Sequence, residues 1–221
     1  MSKTDTVRRQ VKTRDSRWAH SAAAWLRRRG LRPNQISVAG VFFAFGGGVA
    51  CWALPRVDSL GLIYLLCFMA ILGIQGRLLC NLFDGMVAIE GGLKSRSGEL
   101  FNDFPDRLSD SFLLIGAGYA IGTICGVALG FSAAILAMLT AYARVLGGAA
   151  GGTQRFLGPM AKQHRMALLT LAILVTAATA TVQGGRSVVL TVALAIIALG
   201  SLITTMRRLY HSYRELESGV E

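Results

Sequence analysis

Asn81-Leu82-Phe83-Asp84-Gly85-Met86-Val87-Ala88, then Gly98, then Asn102-Asp103-Phe104-Pro105-Asp106 and Asp110, is a polar stretch set between two apolar blocks. Six of the chain's 12 acidic residues (Asp84, Glu90, Glu99, Asp103, Asp106 and Asp110) fall within its 27 residues from 84 to 110. Outside it the chain is unusually apolar. Of 221 residues, 53% are hydrophobic and 16% charged, and the mean hydropathy is +0.51. A soluble domain carries about 25% charged residues. The apolar residues lie in long blocks with too few polar positions to give each block a wet face. Disorder, a collagenous repeat and a disulfide scaffold are excluded by the same composition. The reading is a multi-spanning membrane protein.

Six spans are expected at Ile36–Leu54, Leu60–Val87, Asp106–Ile124, Ala128–Gly148, Met166–Val182 and Val188–Thr205. Each is near the ~20 residues a bilayer needs. The fold class is therefore all-α: a six-span helical bundle, preceded by an amphipathic surface helix. That helix is read from Arg14 to Arg29, with Trp18, Ala22, Trp25 and Leu26 on one side and Arg14, Arg17, Ser21 and Arg28 on another. Pro33 disfavours helix at Arg32, and Asn34 is the expected cap of the first span. The organisation is a basic segment 1–32, a membrane domain 33–206 and a tail 207–221. No cleavable signal peptide is expected, because the first apolar block begins near Ile36.

The net charge of +11 comes from 23 Lys and Arg against 12 acids. Lys and Arg concentrate on the loops of one face, which includes both ends of the chain; Arg56 and Arg186 alone lie on the other. The positive-inside rule makes both termini cytoplasmic, in an inner (plasma) membrane, and assigns the charge to topology and anionic lipid, not nucleic acid. Cys51, Cys67, Cys80 and Cys125 form no metal-ligand spacing and read as small packing residues. Glycine and alanine in the spans (Gly46-Gly47-Gly48, Gly147-Gly148, Ala150-Gly151-Gly152) permit close helix contact.

Asn81, Asp84 and Ala88 share one helical face, which Arg77 extends; Asn102, Asp106 and Asp110 share another, with Asp103 beside them. Two adjacent helices thus each present an oxygen-rich stripe at the cytoplasmic face. Such residues at a membrane surface are costly and face a wet or functional interior. They repel one another unless a cation lies between them. All-oxygen ligands favour a hard ion, magnesium, manganese or calcium, and suit phosphate chemistry. Gly85 and Ala88 leave one side of the site uncrowded for a ligand.

The stretch resembles the signature of the CDP-alcohol phosphotransferase family, integral membrane enzymes of phospholipid synthesis. That signature reads D-x-x-D-G-x-x-A-R, eight residues, then G-x-x-x-D-x-x-x-D. Asp84, Gly85, Ala88, Gly98 and Asp106 match it at the expected spacing. The resemblance extends to the N-terminal surface helix, the Pro-Asn lead-in, the six spans and Tyr142-Ala143-Arg144 at the end of the fourth span. It implies transfer of a substituted phosphate from a CDP-linked donor, CDP-diacylglycerol in the commoner bacterial arrangement, to an alcohol or lipid acceptor with release of CMP. It implies a magnesium or manganese cofactor held among Asn81, Asp84, Asn102, Asp103, Asp106 and Asp110. Asp106 would be the general base, and Asp84, Gly85, Ala88 and Gly98 would meet the nucleotide. Arg77, Arg144 and Arg165 are candidates for a phosphate on donor or acceptor, and Arg77 is equally read as an ion-pair partner of Asp84 on the same face. Family members are commonly homodimers.

The departures are specific. Asn81 and Asn102 stand where the signature has aspartates, and Ile89 stands at its arginine. An amide oxygen still ligates, but each replacement removes a negative charge and so weakens binding of a second cation. Asp103, Asp110 and Glu90 are the candidate replacements. The pattern reads as a divergent branch. The same departures also fit a non-catalytic relative that binds nucleotide or lipid and assists a partner enzyme. A small transporter is disfavoured, because no repeated pair of broken spans is present. Arg155, Lys162 and His164 are assigned to topology and the interface, Glu99 to a solvated loop.

Overall fold

Pro33 opens the first long helix of the computed structural model, at the position where a missing N–H costs nothing. The structure describes residues 16–92, 98–154, 156–182 and 185–218, without the side chains of residues 99, 102 and 186. Within them lie α1 (Arg17–Arg28), α2 (Pro33–Ala53, continued by a 3₁₀ turn Leu54–Arg56), α3 (Leu60–Glu90), α4 (Gly98–Ala120), α5 (Ile124–Ala149), α6 (Lys162–Ala178) and α7 (Gly185–Ser218). No strand occurs among the described residues. The chain is an all-helical protein. Four segments, Pro33–Arg56, Leu60–Glu90, Ile124–Ala149 and Ser187–Ser218, are long and apolar enough to cross a membrane.

Several boundaries differ from the sequence reading, each for a local reason. The cap of α2 is not Asn34: the Gln35 side chain reaches back to accept from the Arg32 N–H at 2.9 Å. The third expected span ran through a turn. α4 ends at Ala120, Gly122 adopts a positive φ of 78°, and Thr123 caps α5 by accepting from the Gly126 N–H at 3.1 Å. α4 also carries Asp106, Arg107 and Asp110, and α6 has only 17 residues, so neither meets the length-and-apolarity measure of a span. α6 begins a turn earlier than expected. α7 runs past both Thr205 and the boundary drawn at 206, as one continuous helix. The expected surface helix corresponds to α1, and its first residues, including Arg14, lie outside the described part. Ala19 and Ala23 are its buried face, packed with Met86 and Val87 of α3, while Trp18 and Trp25 are half exposed.

α2 lies between α3 and α4 along most of their length, and small residues make this possible. A Cβ on Gly73 would come 2.6 Å from the Gly47 Cα, and one on Gly116 would come 2.4 Å from the Gly48 carbonyl oxygen. Gly118 and Gly130 bring α4 against α5 in the same way, at 2.7 Å. Such contact gains dispersion energy where lipid offers no hydrophobic drive between helices. The core holds Ile63, Ile74, Leu113, Leu114, Met166, Leu169, Ile173, Leu190 and Leu194, and all four cysteines are free thiols. Cys51 and Cys67 pack inside as expected, but Cys125 is exposed at the start of α5. Large apolar side chains such as Phe42, Phe68, Ile135, Leu171 and Leu199 face outward, as lipid-facing surfaces require.

Replacing Gly116 by Val drives a side chain into the α2 backbone. The expected result is a loss of about 1–3 kcal/mol, read as a lower melting temperature in detergent. A Cβ on Gly46 meets nothing within 4 Å. Gly46→Ala is therefore expected to hold or raise the melting temperature.

Candidate functional site

α3 and α4 meet at their polar ends, and there the helical spacing of the sequence becomes a cluster. Arg77 and Asp84 on α3 and Asp106 and Asp110 on α4 are all buried, and Asn81 between them is half-buried. Asn81 Nδ2 donates to Asp106 Oδ1 at 3.1 Å. Ser37, in the first turns of α2, donates its hydroxyl to Asp84 Oδ2 at 2.6 Å. Asp84 Oδ1 is buried without a hydrogen-bond partner.

Arg77 does not pair with Asp84 as its position on the same face suggested. The two lie seven residues apart, about 10 Å along the helix axis. Arg77 crosses instead to α4, where Nη2 donates to Asp110 Oδ1 at 2.5 Å and to the Asp106 carbonyl at 3.1 Å. Arg165 of α6 donates from its own Nη2 to Asp110 Oδ2 at 2.7 Å and from Nη1 to the Met160 carbonyl at 3.0 Å. Both oxygens of Asp110 are thus held by arginine. Asp103 is held by Arg144 of α5 at 2.6 Å and by Arg107 at 3.5 Å. Neither carboxylate shares the oxygen cluster of Asn81, Asp84 and Asp106.

Lys162, assigned by sequence to topology, is part of the cluster. Its ammonium donates to Asn81 Oδ1 at 2.6 Å and to Asp106 Oδ2 in a short contact. Arg208 of α7, also assigned to topology, is buried and donates to the carbonyls of Leu157, at 2.9 Å, and of Thr140. The remaining candidates lie around this centre. Gly85 is buried, not open, and Ala88 is half-buried in the turn after Asp84. Gly98 opens α4, and Asn102 lies on it with its side chain outside the described part. Glu90 accepts from His20 at 2.7 Å and is a partner of α1, not of the cluster. His164 is exposed and bonds the Pro159 carbonyl. Arg155 lies outside the described residues.

Ser37, Asn81, Asp84, Asp106 and Ser109, with the Arg77 guanidinium on one side, line a cavity of about 10 Å³. That is room for one water-sized particle. Among the described residues no three His, Cys, Asp or Glu side chains form a metal-binding group. The oxygen set is two carboxylates, an amide and a hydroxyl. With the unpartnered Asp84 Oδ1, that set suits one hard cation.

No family model matches the chain, and no curated protein matches it. Solved structures do. Mycobacterium tuberculosis phosphatidylinositol phosphate synthase with CDP-DAG bound aligns at TM-score 0.72 and 19% identity, over 90% of this chain and 94% of that one. The same synthase in complex with manganese and citrate aligns at TM-score 0.71 and 19% identity, over 88% of each chain. Its apo form aligns at TM-score 0.69 and 19% identity, over 87% of this chain and 95% of that one. The fold is that of a CDP-alcohol phosphotransferase.

Within this CDP-alcohol phosphotransferase fold the ion pairs carry unequal loads. Asp110→Asn takes the carboxylate from buried Arg165 and leaves Arg77 only its 3.4 Å contact to Asp106 Oδ1, and the expected loss is about 3–5 kcal/mol. Asp84→Asn removes a carboxylate that accepts from the Ser37 hydroxyl and has no basic side chain donating to it among the described residues, with an expected change no larger than about 1.5 kcal/mol. Chemical unfolding of the two variants in the same detergent checks the order.

Proposed function

We propose that the chain is an integral membrane transferase of phospholipid synthesis. It moves a substituted phosphate from a CDP-linked donor, CDP-diacylglycerol, to an alcohol acceptor, and releases CMP. The observation that carries this reading is the Asn81–Asp84–Asp106 oxygen cluster around an ion-sized cavity. Its fold, shared with an enzyme solved with CDP-DAG and with manganese, supports it. The six helices α2 to α7 are read as six spans, with both termini cytoplasmic, by the charge asymmetry of the loops.

Asp84, with the Asp106 carboxylate across the cavity, would hold a magnesium or manganese ion. When bound, such an ion supplies charge neutralisation at the donor pyrophosphate and at the departing CMP. The chain's own groups do the rest. Asp106 accepts the proton of the acceptor hydroxyl as that oxygen attacks phosphorus. Asn81 and Arg77 fix its Oδ1, so the carboxylate is aimed before substrate arrives. Lys162 faces its Oδ2 and must yield that oxygen for the transfer. Ala88, half-buried in the turn after Asp84, would lie beside the nucleotide, while buried Gly85 would not be open to it. Arg144, Arg165 and Arg208 gather positive charge on α5, α6 and α7, and a phosphorylated acceptor would compete with Asp103 for Arg144, the others being held by Asp110 and by backbone carbonyls.

The test is CMP release by purified protein in lipid, with CDP-diacylglycerol and a panel of alcohols and alcohol phosphates. Release is expected with magnesium or manganese and is abolished by EDTA and by Asp84→Ala. Asp106→Ala is expected to slow it by about 10²–10⁴-fold. CDP-diacylglycerol binding without release from any acceptor sinks the transferase reading. It would mark the chain as a non-catalytic relative, with Asn81 and the Lys162–Asp106 contact as the cause.

A further inference from the structure

We infer that the Lys162 ammonium is a resident cation of the oxygen cluster, held at Asn81 and Asp106 where a second divalent ion would otherwise bind. This rests on the cluster being a cation site, as read above.

Lys162 Nζ bonds both Asn81 Oδ1 and Asp106 Oδ2. A divalent ion on those two oxygens would have to displace a positive charge already bonded to both. Asn81 is the side chain suited to this arrangement. Its amide oxygen accepts from the ammonium while its amide N–H donates to the other oxygen of Asp106. An aspartate at this position has no N–H to donate, and it places a carboxylate against Asp106. Residues 81 and 162 therefore match each other: the amide removes one negative charge, and the ammonium neutralises another.

The other half of the cluster is different. Asp84 is reached by the Ser37 hydroxyl, and its Oδ1 is buried without a partner. No basic side chain donates to it within hydrogen-bond distance among the described residues. The site is thus divided: one half is filled from within the chain, and the other is open to a single divalent ion. Position supports the assignment. Lys162 is the first residue of α6, and Arg165, three residues on, is locked to Asp110. That ion pair fixes the first turn of α6 against α4 and holds the lysine over Asp106.

The experiment is a titration of the full chain, in phosphatidylcholine nanodiscs, with manganese alone. Bound ions are counted from the electron paramagnetic resonance signal of free Mn²⁺. The wild-type chain is expected to bind no more than one ion. The double variant Asn81→Asp/Lys162→Met is expected to bind one ion more than wild type. Lys162→Arg, which keeps the charge, should leave the count unchanged. Folding of each variant is read from its melting curve. Should the double variant not fold, Lys162→Gln on the Asn81→Asp background takes its place, since it keeps a donor but no charge. Two ions on the wild-type chain overturn the inference, as does a folded charge-free variant with the wild-type count. No nucleotide enters this measurement. A wrong ion count leaves the transferase reading intact, and absent CMP release leaves the ion count intact.

Discussion

Asp110 lies between Arg77 and Arg165, and through it three helices are fixed at one depth. A carboxylate and two guanidiniums in an apolar interior are expensive to bury, and the expense is offset only when the pairing is close to complete. Here Arg77 comes from α3, Asp110 from α4 and Arg165 from α6, with contacts of 2.5 and 2.7 Å. α2 separates α3 from α4 over most of their length, so little else joins those two helices directly. The triad therefore sets the relative height of the helices that carry Asn81, Asp106 and Lys162. It orders the site and borders its open part through Arg77.

Glycine contacts and polar contacts divide the work along the helix axes. In the apolar half, Gly47 with Gly73 and Gly48 with Gly116 let backbones touch, and no directional bond is needed. Toward the polar end the helices are joined by ion pairs and by side chains that reach carbonyls. Arg208 on the Thr140 and Leu157 carbonyls and Arg165 on the Met160 carbonyl are of this kind. Close packing brings the stripes together, and the charges decide their registration.

What was legible in the sequence was whatever repeats along one helix. Asn81 and Asp84 declare themselves by spacing, as do Asp106 and Asp110, and the long apolar blocks declare the bundle. What was not legible crosses between helices. Ser37 meets Asp84 from 47 residues away, and Lys162 meets Asn81 from 81 residues away. No local pattern encodes those pairs. Arg77 was matched to Asp84 because same-face logic looks along one helix only, whereas its true partner lies across the interface. Lys162 and Arg208 were hidden by a sound rule: a basic residue near a span end is fully explained by topology until its partners are known. Span ends were blurred where Gly122 and Thr123 turn the chain without a break in apolarity.

The length of α7 has a consequence for how the site meets its surroundings. Its 34 residues make a rod of about 50 Å, against a hydrocarbon layer of about 30 Å. The surplus lies at the polar end, where Glu215 receives the Thr153 hydroxyl and backbone N–H. The end of the rod thus tethers the start of the segment between α5 and α6. That tether anchors one end of the connection whose other end delivers Lys162 and Arg165, so a helix that contributes nothing to the oxygen cluster still bears on where its basic residues sit.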